Sequence, residues 1–260
     1  MKLMISAILI LISCFTHAID FNYHSDNTQF YLLIKQIESQ KTLPRLDTAK
    51  GKAILSKFTD PKLIGNFSND KLDEQLQITN YINYIVEMYL IFSPNKLNQL
   101  TSQDLTNNLK KFQAEIILLS NFNIKYFAAI SQQVNQFYKE LPEVEKGGVI
   151  KYSTKMMQVE MLKYYYGGFK WMELLDCLTE QSKLNIITTL EQSAENYANV
   201  ITEQQKLQII EKAETLITQQ PAFEAQLSHI IEVMKKSKCE ELCKIANKKI
   251  KQPEKIEENN

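Results

Sequence analysis

The stretch Tyr164-Tyr165-Tyr166-Gly167-Gly168-Phe169-Lys170-Trp171 gathers five aromatic side chains within eight positions. On a helix each residue turns by about 100°, so three consecutive tyrosines cannot all face one core. At least one must meet solvent, a second helix layer or a ligand. Tyrosine and tryptophan suit half-wet positions because an apolar body carries a polar tip. Tyr164, Tyr165, Tyr166, Phe169 and Trp171 are therefore the candidate binding surface. The favoured competing reading is a packed junction between helical layers, with the glycine pair permitting a close approach or a sharp turn.

The cysteines are the next reactive set: Cys14, Cys177, Cys239 and Cys243. Cys14 falls in an apolar leader, which leaves three thiols and hence an odd one out. Cys239 and Cys243 are four residues apart. On a regular helix their Cβ atoms would stand ~5–6 Å apart, whereas a disulfide needs ~3.8 Å. A bridge from Cys177 to Cys239 or Cys243 is thus expected, tying the C-terminal helix to the body. The alternative is a local Cys239–Cys243 bond in a distorted turn. No metal is expected, because no second cysteine pair completes a tetrahedral site and only His24 and His229 follow the leader.

Other chemistry finds little support. The chain has no nucleophile elbow, phosphate-binding loop, dinucleotide fingerprint or His-Glu-x-x-His, and no cofactor is expected. His229 reads as a surface or half-buried side chain flanking Ile230. Of the carboxylates Glu38, Asp73, Glu74, Glu160 and Glu173, Glu160 stands out between Val159 and Met161, with exposure on a flank as the expectation. Thirty basic residues balance thirty acidic ones, and Arg45 is the sole arginine. Phosphate recognition favours a basic excess and arginine's planar fork, so a nucleic-acid partner is not expected.

The elements that must position these residues are helical. Six glycines in 260 residues are too few for a fold rich in tight turns. Apolar residues recur at three- and four-residue steps, and no segment of comparable length alternates with period two. Phe30, Leu33, Ile34 and Ile37 mark a short helix over Asn27 to Gln40. A second follows Asp47 as N-cap. A third runs to Phe92, apolar nearly all round toward its end and so central. Leu105, Leu109, Phe112, Ile116 and Leu119, then Phe127, Ile130, Val134 and Phe137, continue one stripe through Asn123. This spells either one helix over 102–141, ~60 Å long, or two broken at Ser120-Asn121. Beyond Val149 to Tyr166, the glycine pair is expected to interrupt, with a short helix over Phe169 to Leu178. Ser182 is expected to cap a helix with Leu184, Ile187, Ala194 and Ala198 inward. A capping box at Thr202 to Gln205 and Pro221 start the next two, and a last helix is expected from Cys239 to about Ile250.

The first 18 residues have the order of an export signal: Lys2, the apolar run Leu3 to Ile12, then Thr16-His17-Ala18 with small residues at the cleavage positions. Spanning a bilayer takes ~20 apolar residues, and no later stretch qualifies. Leu11-Ile12-Ser13-Cys14 resembles a bacterial lipobox, so lipidation of Cys14 is the alternative processing.

These readings converge on an all-α, multi-helix bundle of antiparallel hairpins, its C-terminal part hairpin- or repeat-like. The expected layout is a signal peptide (1–18), an N-terminal helical region (19–166), a C-terminal helical region (167–250) and a disordered tail (251–260). Periplasmic or secreted location is expected, or lipid anchoring in the envelope. The expected role is non-enzymatic binding of an envelope or secreted protein. The alternatives are a carrier of an apolar ligand and an enzyme whose site is dispersed in sequence.

Overall fold

The structure, a computed structural model, describes residues 28–40, 42–64, 72–92, 101–144, 146, 149–173, 177–241 and 243–244. Cys14, His24, the leader and the tail lie outside the described residues, as do the side chains of Asp73, Glu74 and Glu160. Among the described residues there are eight α-helices and no strand: α1 (Thr28–Gln40), α2 (Ala49–Phe58), α3 (Leu72–Leu90), α4 (Ser102–Glu140), α5 (Val149–Met172), α6 (Glu180–Ala198), α7 (Glu203–Gln219) and α8 (Glu224–Lys236). Short 3₁₀ turns follow α2 at Pro61–Leu63 and precede α8 at Pro221–Phe223. The helices pack on one another as a bundle around one apolar cluster that runs from Phe30 to Met234.

The spine is α4, 39 residues in one helix. Thr101 accepts from the Asp104 N–H while the Asp104 carboxylate accepts from the Thr101 N–H, so the start is fixed by a reciprocal cap. No break occurs at Ser120-Asn121. The irregularity lies instead at Phe112, whose φ of −114° and ψ of 15° kink the helix. The expected stripe is buried from Leu105 to Val134 and half-buried at Phe137, and polar residues punctuate it. Asn108 donates to Leu90 O and Phe92 O at the end of α3. Asn123 donates to the Asn83 side chain at 2.8 Å. These bonds offset what an unpartnered amide would cost in the core. They also fix the register of α3, which presents Tyr81, Ile82, Ile85, Val86, Tyr89 and Leu90 as fully or nearly fully buried side chains.

The glycine pair does not interrupt α5. A Cβ on Gly168 would stand 2.7 Å from Leu190 Cδ2 and 3.2 Å from Ile124 Cδ1. Gly168 thus serves as the flat spot on which α6 and α4 close, and the intra-helix penalty of ~1 kcal/mol is offset by packing. The expected short helix after the pair is the last part of α5, and the 166/167 division falls inside that helix. Two caps also shift. Thr48, not Asp47, caps α2 by accepting from the Gly51 N–H. Thr179, not Ser182, caps α6 by accepting from the Ser182 N–H, and Leu184 lies off the buried face at 38% exposure. Ile187, Ala194 and Ala198 are buried as expected, joined by Ile186, Leu190 and Tyr197. The Thr202–Gln205 capping box is present, and Phe223, Leu227, Ile230 and Met234 are buried.

The cysteine pairing corrects the expectation of a long-range bridge. Cys239 bonds Cys243, with Cα atoms 5.3 Å apart, and Cys177 is a buried thiol outside that bond. The reason is local backbone. α8 ends at Lys236 and residues 237–240 are not helical, so Cys239 precedes a turn rather than sitting one full helical turn from its partner. The segment is docked by other means. Glu240 N–H donates to Asn199 O, its carboxylate accepts from Asn135 and Lys139, and Cys243 is fully buried.

Candidate functional site

The aromatic run divides by helical phase. Tyr165, Phe169 and Trp171 are buried in the core. The Tyr165 ring lies 4.5 Å from that of Tyr197 and 5.5 Å from that of Phe169, and its hydroxyl donates to Leu190 O at 2.8 Å. Burial drives the Tyr165 and Tyr197 hydroxyls well above the ordinary tyrosine range, so both are neutral hydrogen-bond donors. Tyr164 is half-buried, with its ring 4.6 Å from Phe127 and its hydroxyl accepting from the Asn83 amide at 2.5 Å. Tyr166 is half-buried beside the Lys170 and Lys212 ammonium groups, which lie 5.7 and 5.8 Å from its ring centre. Tyr164, Tyr166, Trp171, the glycine pair, Lys163 and Lys170 border a cavity of about 80 Å³. Drug-sized ligands occupy roughly 300–1,000 Å³.

A second, larger concavity was not singled out by residue type. It is a groove of about 850 Å³ between α4, α6 and the turn after α2. Ile117, Leu118 and Phe122 from α4, Leu184 from α6, and Leu46, Pro61 and Ile64 from the α2 flanks supply apolar surface. Asn121, Asn185, Thr188, Thr189 and Gln192 supply amides and hydroxyls, and Lys125 is the one charged lining residue. Asn121 donates to Asn185 O at 3.2 Å, but its Oδ1 is shielded from solvent and accepts no hydrogen bond among the described residues. A solvent-shielded acceptor with no donor costs ~1–3 kcal/mol. The sequence signals for this site were faint. They amount to the polar break Ser120-Asn121 in an apolar stripe and the misphased Leu184.

One wall of the groove is held by a buried ion pair. Glu115, 1% exposed, accepts from Arg45 Nε at 3.0 Å and from the Leu46 N–H at 2.9 Å. The Arg45 guanidinium also lies 5.0 Å from the Phe112 ring centre, beside the kink in α4. The sole arginine therefore clamps the segment before α2, including the groove residue Leu46, onto α4. Gly51 makes room for it, since a Cβ there would come within 2.2 Å of the Arg45 backbone.

The remaining titratable groups are dispersed. His229 Nδ1 lies 2.9 Å from Glu191 Oε1 at the surface. Burial pushes the Glu38 carboxyl up, but hydrogen bonds from Lys35 and Tyr84 outweigh it and hold the group below its ordinary range. The Tyr84 hydroxyl is pushed up to about 12 by burial and by its bond to Glu38. Glu173 pairs with Lys212. Glu203, Cys239 and Cys243 place one carboxylate oxygen and two sulfurs within 4.8 Å of one another. None of these groups lines the groove.

Compared with protein-family profiles, with curated proteins and with solved structures, the chain gives no match.

Proposed function

We propose that this is an exported binding protein that holds an extended segment of an envelope or secreted protein in the α4–α6 groove. The observation that carries this reading is an apolar groove of about 850 Å³ edged by side-chain amides and hydroxyls. An extended peptide offers alternating N–H donors and side chains, which is the pattern such a lining can satisfy. The lining holds a lysine and no Asp or Glu, so a neutral or acidic segment fits better than a basic one. It also holds no His or Cys, which leaves the groove without an obvious general base or thiolate nucleophile. Export rests on the Lys2, apolar-run and Ala18 order, and a disulfide among the described residues is compatible with an oxidising compartment. No described helix is long and apolar enough to cross a membrane.

The test is site-specific photocrosslinking in cells. A photoreactive residue at Gln192 should form a defined adduct with one partner, and Leu184→Glu should abolish it without changing the melting temperature. Adducts of equal yield from a probe at the distant, exposed Leu207, or adducts indifferent to Leu184→Glu, would overturn the groove as the binding site. Intact mass of the native protein tests export: a product retaining Met1 removes that half of the proposal, and a lipid increment on Cys14 selects anchoring.

A further inference from the structure

A cluster separate from the groove lies where the C-terminal segment meets the start of α7. We propose that, once the Cys239–Cys243 disulfide is reduced, Cys239, Cys243 and Glu203 bind a thiophilic divalent cation of the zinc class. The three ligand atoms already lie within 4.8 Å of one another, although they come from two elements separated by more than thirty residues. The Cys-x-x-x-Cys spacing falls within that of structural zinc ligands. A tetrahedral site with Zn–S bonds of ~2.3 Å sets its two sulfurs roughly 3.8 Å apart. Cleaving the bond lets the sulfurs part by rotation of the two cysteine side chains, with the backbone held on either side of Cys239 at Ser237 and Glu240. Three protein ligands leave the fourth position to water, as in catalytic rather than structural zinc sites.

Charge supports the assignment. Two thiolates and a carboxylate carry three negative charges, and a divalent cation leaves one. Lys206 supplies the balancing positive charge: it is 2% exposed, and its ammonium donates to Glu203 Oε1 at 2.8 Å and to Ser237 O at 2.9 Å. That ammonium engages Oε1 and leaves Oε2 for the metal. A neutral assembly is what a site with Cys243 fully buried requires. The chemistry balances with an external dithiol as reductant. The S–S bond breaks as the reductant delivers two electrons and two protons and leaves as its own disulfide. Metal binding then releases the two thiol protons to solvent.

The experiment titrates the full chain with Co²⁺ alone, before and after reduction and removal of the reductant. Reduced protein should develop a thiolate-to-cobalt charge-transfer band that saturates near one Co²⁺ per chain, and the disulfide form should show none. Glu203→Gln should weaken binding by about tenfold or more, a ligand loss being no smaller than a second-shell one. Zn²⁺ should displace the cobalt and protect Cys239 and Cys243 from alkylation. Absence of the band in reduced protein overturns the proposal. So does a band of equal strength in Cys239→Ser/Cys243→Ser, which retains Cys177, or full alkylation of both cysteines under excess Zn²⁺.

Discussion

The aromatic run on α5 and the α4–α6 groove are near neighbours with opposite characters. The run is conspicuous in sequence and largely buried in the fold: Tyr165, Phe169 and Trp171 are buried, and the Tyr165 ring packs on Tyr197. The groove is built from Asn, Thr, Gln and ordinary aliphatics, yet it is the larger concavity and carries a shielded acceptor without a donor. Large aromatics gain most from burial, so a dense cluster of them is drawn inward. A surface meant to meet another molecule must stay wet in its absence, and that favours residues whose type attracts little notice.

The sharpest break in this comparison is Tyr165→Ala. Loss of a fully buried ring and of its bond to Leu190 O should destabilise the chain by about 3–5 kcal/mol, read by chemical denaturation, with partner crosslinking lost only in proportion to the unfolded fraction. A native-like midpoint with lost crosslinking would instead return the aromatic run to the binding surface. Next is Arg45→Met, which strips Glu115 of its charged partner. A charge left buried costs about 3–5 kcal/mol where the pair was fully desolvated, and Arg45 is 31% exposed at its side chain, so about 2–3 kcal/mol is expected. Hydrogen exchange should show the segment before α2 opening first.

A smaller effect is set by pH. The hydrogen bond from Lys139 holds the Glu240 carboxyl below its ordinary value of 4.5, against the raising effect of burial and helped by Asn135. A lowered folded value means that Glu240 binds its proton more readily in the unfolded chain. Its stabilisation is therefore complete above the ordinary carboxylate range and is lost as pH falls through the folded value. Exchange at residues 237–241 should rise below about pH 4, and Glu240→Gln should flatten that rise. Least of all should Leu184→Glu disturb the fold: an outward side chain substituted at the surface should shift stability by no more than ~0.5 kcal/mol, while crosslinking disappears. A large loss of stability here would mean that Leu184 is packing rather than binding surface.

The helical class and most buried stripes were legible because burial repeats with the helix period. Phe30, Ile34 and Ile37 on α1, and Phe223 through Met234 toward the C-terminus, needed only that rule. The capping box at Thr202 was legible because its two bonds are local. What escaped depended on contacts distant in sequence. Gly167-Gly168 looks like a break until Leu190 is seen to need the space at Gly168. Leu184 looks inward until the buried face is seen to centre on Ile186, Leu190 and Tyr197, which leaves it on the flank. The four-residue spacing of Cys239 and Cys243 argues against their bond only on a regular helix, whereas α8 stops at Lys236. Groove and clamp alike depend on Arg45 meeting Glu115 across 70 residues, which no local pattern encodes.

The length of α4 has a kinetic consequence. From Asn108 to Tyr126 it meets α3, the helix immediately before it, so that pairing forms as soon as both have been synthesised. Near its C-terminal end, Asn135 waits for Glu240, 105 residues downstream. During synthesis at roughly 5–20 residues per second, that end of the helix stays unseated for several seconds at least. The chain therefore assembles from one end of its spine toward the other, and the far end is where a chaperone has the longest time to act.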